Sequence, residues 1–256
     1  MSLLVYPNLP GLTLPVLKAA AFDSLVESAP NKYRVALPQT INPLWSWEFI
    51  YDFLRDPANI FSVVDDAVVF TVGDLGTLLD FFMYQSGQAG DFLLLDPDDN
   101  YVGPALVGGL PNIPMAQLQM VTDGAGNYYS PIQRTRGGLF YEDITDLNTN
   151  VDAGGSALAV YANGTLATVG TGSGEYELLG PGLAVPGASF MGMYLKWGSE
   201  PTGPITAQFN FYFRAHFQSD SQDMEKFAKA YWTIGGSESQ NGKGYVKLEQ
   251  SRPAPL

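Results

Sequence analysis

Residues 205–217 read ITAQFNFYFRAHF, thirteen residues in strict alternation. Ile205, Ala207, Phe209, Phe211, Phe213, Ala215 and Phe217 fall on one side, and Thr206, Gln208, Asn210, Tyr212, Arg214 and His216 on the other. Successive side chains of a strand point to opposite faces, so a period of two predicts a strand with one buried side. A register slip of one residue would expose four phenylalanines, which makes the pairing strongly specified. A second alternation runs over Leu44–Leu54, with Trp45, Trp47, Phe49, Tyr51 and Phe53 set against Ser46, Glu48 and Asp52. Five aromatics on one face suit either a sandwich core or a sugar-binding platform. Large apolar side chains are usually buried, so the core reading is preferred.

The composition points the same way. Aromatics make up 13% of the chain, which favours strands, and 28 Gly with 18 Pro require many turns. The expectation is a mainly β fold: a β-sandwich-like domain with one packed amphipathic helix, a short C-terminal helix and a long hairpin/loop elaboration.

The amphipathic helix is expected in TVGDLGTLLDFFMYQSGQAGDFLLLDPDDNY, residues Thr71 to Tyr101. Leu75, Leu78, Leu79, Phe82 and Met83 recur at the spacing of one helical face. Thr71 with Asp74 three residues on suggests a capping box, and Gly87 and Gly90 suit the positive φ of a helix end. A short apolar strand and an acidic turn follow. The face reads as core, each buried side chain contributing roughly 1.5–3 kcal/mol.

This stretch resembles the DUF2460 type of distal tail (tail-hub) protein of long-tailed bacteriophages and gene transfer agents. Phe81, Phe82, Gly87, Gly90, Phe92, Asp96, Pro97 and Asp99 match that family's FF…G…GF…DPxD pattern. Where the family carries arginines between helix and strand, this chain has Tyr84, Gln85, Ser86 and Gln88. The strand from Ile205 resembles the family's closing ITAxFxF…F strand, so the resemblance extends from about Leu44 to Phe217. It implies a structural virion protein rather than an enzyme: a ring, expected to be a homohexamer, in the baseplate at the tip of a non-contractile tail. Its implied partners are itself, the tail tube protein, and baseplate hub and fibre proteins. Its implied location is the phage tail tip, after assembly in the bacterial cytoplasm. No cofactor is implied. The competing reading is a carbohydrate-binding module of a phage or secreted protein, and a third is a glycan hydrolase.

Charge narrows the partners. The formal net charge is -13, with only 15% of residues charged. Sequence-specific nucleic-acid binding needs a basic footprint, and so does adhesion to anionic membranes. Neither is expected. The chain has no cysteine, which removes disulfides, thiolate metal sites and a cysteine nucleophile. The apolar N-terminus lacks a basic leader region and is interrupted by Pro7, Pro10 and Pro15, so no signal peptide is expected.

Along the chain, residues 1–31 read as an extended arm leading into a short helical piece around Val16–Glu27. Residues 32–250 read as a single β-rich domain, with 100–156 as loop and hairpin elaborations, and 251–256 as a loose tail. DGAGN from Asp123 to Asn127 and Asn163-Gly164 are hairpin loops, the latter a strong short-range signal. Asp220–Trp232, with Met224, Phe227, Ala228 and Tyr231 at helical spacing, is expected to be the C-terminal helix. A strand follows at Val246–Glu249.

Candidate chemistry is sparse. His216 is the single histidine and there is no G-x-S-x-G elbow, so it reads as a surface histidine. The acidic run Asp96-Pro97-Asp98-Asp99-Asn100 lacks the glycine and glutamate of an EF-hand, with Tyr101 and Val107 there instead, and reads as an Asx-stabilised turn. Gly170, Gly172 and Gly174 have no following lysine and read as a flexible loop, not a phosphate cradle. Glu142, Asp143 and Asp146 are the carboxylates that an acid–base pair would draw on. No catalytic, cofactor-binding or metal residue is assigned.

Overall fold

A computed structural model describes residues 3–9, 12–22, 24–28, 34–38, 43–51, 54–55, 61–64, 67–70, 73–103, 116–123, 125–136, 140–148, 158–181, 192–220, 224–228, 231–234 and 245–251. The fold is mainly β and β-sandwich-like, with several antiparallel sheets and, among the described residues, one α-helix. The long strand runs Ile205–Phe217 and buries all seven side chains of its predicted inner face. Of the other face only Tyr212 is buried. The chain divides into two compact units, one of residues 1–92 and 215–251, the other containing 93–214. The residues read as one domain over 32–250 are distributed over both.

In the first unit, Leu12–Ala21 pairs with Leu44–Tyr51, which pairs with Val246–Gln250, which pairs with Ala215–Phe217 at the end of the long strand. Trp47, Val246, Leu248 and Phe217 are fully enclosed and Phe49 nearly so. Trp45, the outermost aromatic of the row, is half-buried, with the Lys18 ammonium 4.6 Å from its ring centre. Phe53 lies outside the described residues. The sandwich-core reading of the row therefore holds for Trp47, Phe49 and Tyr51.

Two N-terminal expectations are corrected. The helical piece around Val16–Glu27 is instead the strand Leu12–Ala21 and the strand Ser24–Ser28, the latter in a hairpin with Arg34–Pro38. The extended arm is thus largely part of a sheet. Short apolar runs fit either period, and here Leu44–Tyr51 offers an edge whose backbone groups the segment satisfies.

The helix spans Asp74–Tyr84 and buries Leu75 and Leu78. Its N-cap is Gly73 with no side-chain cap bond, so the capping box does not form. Thr71 lies outside the described residues, and the Asp74 carboxylate accepts from Arg55 Nε at 2.9 Å. Met83, expected on the buried face, is 72% exposed. At about 100° per residue it lies roughly 140° round from Leu78, whereas Phe81 turns inward. Ser86 and Gly87 take the left-handed conformation after the helix (φ 56° and 64°), while Gly90 is extended.

The C-terminal helix is also corrected. Met224–Ala228 and Tyr231–Ile234 are paired antiparallel strands, with Leu54–Arg55 on the far side of the second. The i, i+3, i+4, i+7 spacing was met by chance in a segment rich in aromatics, which favour strands. A register shift between Lys226 and Ala228 disguises the period of two.

In the second unit, the long strand is flanked on both sides by short strands. Leu158–Ala162 pairs along 205–209 and Asp146–Leu147 at 211–212. Ala116–Leu118 pairs along 205–207 and Tyr101–Val102 at 209–210. Parts of the 100–156 region read as elaborations therefore belong to this sheet. A separate sheet runs Val121–Thr122, Tyr128–Pro131, Tyr194–Trp197, Tyr176–Leu179. The Asn163-Gly164 hairpin forms as expected: Ala162 pairs with Thr165, and both loop residues have positive φ (49° and 78°).

Candidate functional site

The motif stretch splits into two clusters, one in each unit. In the first, the helix places Phe81 and Phe82 so that their rings meet strand aromatics edge-on. Phe81 lies 5.2 Å from Phe92, Phe82 lies 4.9 Å from Phe217, and Phe92 lies 5.0 Å from Phe217. Tyr6 completes the cluster, 5.6 Å from both Phe81 and Phe92 and 6.0 Å from Phe49. Tilted and T-shaped contacts of this kind are worth about 0.5–1.5 kcal/mol each beyond area burial. The Tyr6 hydroxyl meets that of Tyr51 at 3.1 Å inside the core. Burial raises both hydroxyl pKa values, that of Tyr51 to about 12, with the Tyr6 hydrogen bond a smaller opposing influence on Tyr51.

The turn after the helix is tied to the segment beyond the long strand. Gln88 N donates to Asp220 Oδ1 at 2.9 Å, and the Gln88 side chain donates to the Gln218 carbonyl. A Cβ at Gly87 would stand 2.7 Å from Asp220 Oδ1, so this glycine is required both by its φ and by close approach.

In the second unit the acidic turn folds on its own aspartate. Asp96 is buried; its Oδ1 accepts from Asp98 N at 2.9 Å, and its carbonyl accepts from Asn100 Nδ2 at 2.8 Å. This is the Asx-stabilised turn expected of the run. Pro97 and Asp98 are exposed, and the turn aims Asp99 inward.

There Asp99 meets Arg134, a residue that sequence reasoning missed. Arg134 Nη1 donates to Asp99 Oδ2 at 2.5 Å, and its Nε and Nη2 donate to Glu142 Oε2 at 2.8 and 2.5 Å. The three side chains are 3%, 8% and 4% exposed for Arg134, Asp99 and Glu142. Arg134 also lies over the rings of Phe213 and Phe211, at 4.8 and 5.2 Å. Arg134 and Glu142 face each other across a hairpin, Gln133–Arg136 with Phe140–Asp143. The one available signal was an arginine and a glutamate equidistant from a Gly-Gly turn; Asp99 had none.

The carboxylates noted as acid–base candidates are each engaged by a donor. Glu142 holds Arg134, Asp143 accepts from Gln133 Nε2 at 2.7 Å, and Asp146 accepts from Arg214 Nη2 at 3.1 Å. His216 is half-buried on its strand, opposite Glu249. Among the described residues, no three acidic or histidine side chains converge to hold a metal ion.

The glycine-rich run from Gly170 to Gly174 is a correction to the flexible loop expected. Gly172 N donates to Glu175 Oε2 at 2.8 Å, Glu175 N to the Gly172 carbonyl, and Gly198 N to the Glu175 carbonyl. The glycines leave room for the Glu175 carboxylate, so the run packs into a turn. Asp123 likewise organises its loop, accepting from Ala125 N and from the backbone and side chain of Asn127. Those bonds, the Asn127 side-chain amide foremost, hold the Asp123 carboxyl below its ordinary range.

The fold and these clusters define a mainly β, β-sandwich-like protein whose motif residues are structural. The sequence matches no protein-family model and no curated protein. Among the described residues, no helix is long and apolar enough to cross a membrane.

Proposed function

We propose that the chain is a non-enzymatic structural virion protein, a distal-tail or baseplate ring component joining a phage tail tube to the tip hub or fibres. The observation that carries the reading is the use made of the FF…G…GF…DPxD residues. Phe81, Phe82 and Phe92 pack a single aromatic core, Gly87 admits Asp220, Asp96 forms the turn, and Asp99 anchors Arg134. A pattern spent wholly on holding a scaffold suits a protein whose work is assembly. Trp47 and Trp197, which a sugar-binding platform would display, are 0% and 2% exposed, which favours the virion reading over the carbohydrate-binding one.

A ring of identical subunits needs two different sticky faces that close on one another. The net charge of -13 suits a ring whose lumen repels DNA over about a Debye length, ~8 Å, letting it pass without sticking. Light scattering on a sizing column across a concentration series, with negative-stain imaging of the peak, tests the assignment. A discrete ring of about six subunits is the expected result. A monomer at every concentration that binds glycans on an array would overturn it.

A further inference from the structure

The strand Leu12–Ala21 lies at the end of its sheet: Leu44–Tyr51 covers one edge, and among the described residues no strand covers the other. Its second half is unusual for an edge. Leu17 is 46% and Phe22 58% exposed, and Ala19, Ala20 and Ala21 are exposed as well, so both faces of this ribbon meet solvent. Natural edges are guarded by proline, bulges or outward charge. Pro15 and the register irregularity between Thr13 and Leu17 guard the first half only. The one charge in the second half, Lys18, extends its ammonium over Trp45 and Trp47 at 4.6 and 5.6 Å from the ring centres. The run LKAAAF is therefore a flat, small-residue, apolar template for another strand.

We propose that residues 17–22 dock on the same segment of a second copy, as an antiparallel two-fold strand pair centred on Ala20. The sequence is self-complementary in that register. Ala20 faces Ala20, Ala19 faces Ala21, and Lys18 faces Phe22 of the other copy. No like charges stand opposite each other. The two lysines are four residues apart along the pair, ~13 Å, beyond the Debye length at physiological salt. A cation placed beside an aromatic ring is attractive, and three small residues at the centre let the two backbones approach without obstruction. Such a contact is isologous, the same patch on both partners. It is therefore distinct from the closing contacts of a ring and does not depend on the ring reading: it pairs two chains, or two rings.

Because the chain has no cysteine, Ala20→Cys gives a direct test in the full-length protein. Residues directly opposite in an antiparallel pair have Cα atoms about 4.5–5.5 Å apart, within the range a disulfide spans. Leu37→Cys, on another exposed strand position, is the control. Under mild oxidation Ala20→Cys is expected to become a covalent dimer while Leu37→Cys stays largely uncrosslinked. Ala20→Glu, which puts two carboxylates face to face, is expected to halve the solution mass, and an equimolar mixture with Ala20→Lys to restore it. Crosslinking of Ala20→Cys no faster than the control, or an unchanged mass for Ala20→Glu, overturns the proposal. Loss of the ring alone, with the Ala20→Cys dimer retained, overturns the ring reading and not this one.

Discussion

Replacing Arg134 by methionine keeps most of the stem's volume and removes the guanidinium. Glu142 loses two hydrogen bonds, at 2.8 and 2.5 Å, and Asp99 loses one at 2.5 Å. Both carboxylates then stand beside each other with at most 8% of their side chains exposed. Breaking a buried ion pair from one side leaves uncompensated charge and costs about 3–5 kcal/mol. That is a large part of the roughly 5–15 kcal/mol by which a folded domain is stable. Lost contact with the rings of Phe211 and Phe213 adds to it. The triple variant Arg134→Met, Asp99→Asn, Glu142→Met removes the charges together and is expected to recover most of the loss, since an apolar replacement of a whole buried cluster is often neutral. Urea unfolding followed by tryptophan fluorescence reads both. Trp197, buried in the same unit and donating to Ser130 Oγ at 3.0 Å, is the reporter. A single variant that loses less than about 1 kcal/mol, or a triple variant no better than the single, would refute the argument that charge satisfaction holds this cluster.

Three further outcomes are expected. Phe92→Ala opens the aromatic cluster at a fully enclosed side chain and should cost about 3–5 kcal/mol in the same unfolding assay, whereas Met83→Ala, on an exposed position, should cost less than about 0.5. Gly87→Ala places a Cβ at φ 64° and 2.7 Å from Asp220 Oδ1; a loss of about 1–2 kcal/mol is expected, with weakened protection of the Gln88 amide in hydrogen exchange. Tyr6 and Tyr51 give a pH dependence at the alkaline end. Their folded pKa values lie above the unfolded value of about 10, so the unfolded chain releases protons first as pH rises. Their contribution is present in full below about pH 10 and is lost as pH rises towards 12. Stability measured from pH 8 to 11.5 should be flat and then fall, and the fall should be shallower in Tyr6→Phe/Tyr51→Phe; equal slopes in the two proteins would count against the buried pair.

Local periodicity settled those elements whose side chains have one buried face. Ile205–Phe217 is legible because seven inward and six outward residues alternate without a break, and only a strand satisfies that. Asn163-Gly164 and Asp96-Pro97-Asp98-Asp99-Asn100 are legible because their turn chemistry is local: positive φ in one, an aspartate bonding its own backbone in the other. Where two periods fit the same letters, the sequence was silent. Residues 224–234 carried a helical spacing and formed a hairpin because Leu54–Arg55 supplied a strand to pair with. Met83 and Phe81 exchanged the roles expected of them because the sheet, not the helix, decides which arc of the helix is covered.

The sequence by itself determined a mainly β chain, its longest strand and the position of its helix, through side-chain periods and turn residues that act over a few neighbours. Only the tertiary structure decided what the acidic turn is for. Asp99 and Arg134 are thirty-five residues apart, and the charge of one acquires a partner only when the turn of Asp96 and the hairpin of Glu142 are brought together. The free edge at Leu17–Phe22 is likewise a property of sheet order, since a strand is an edge only by virtue of where its neighbours lie.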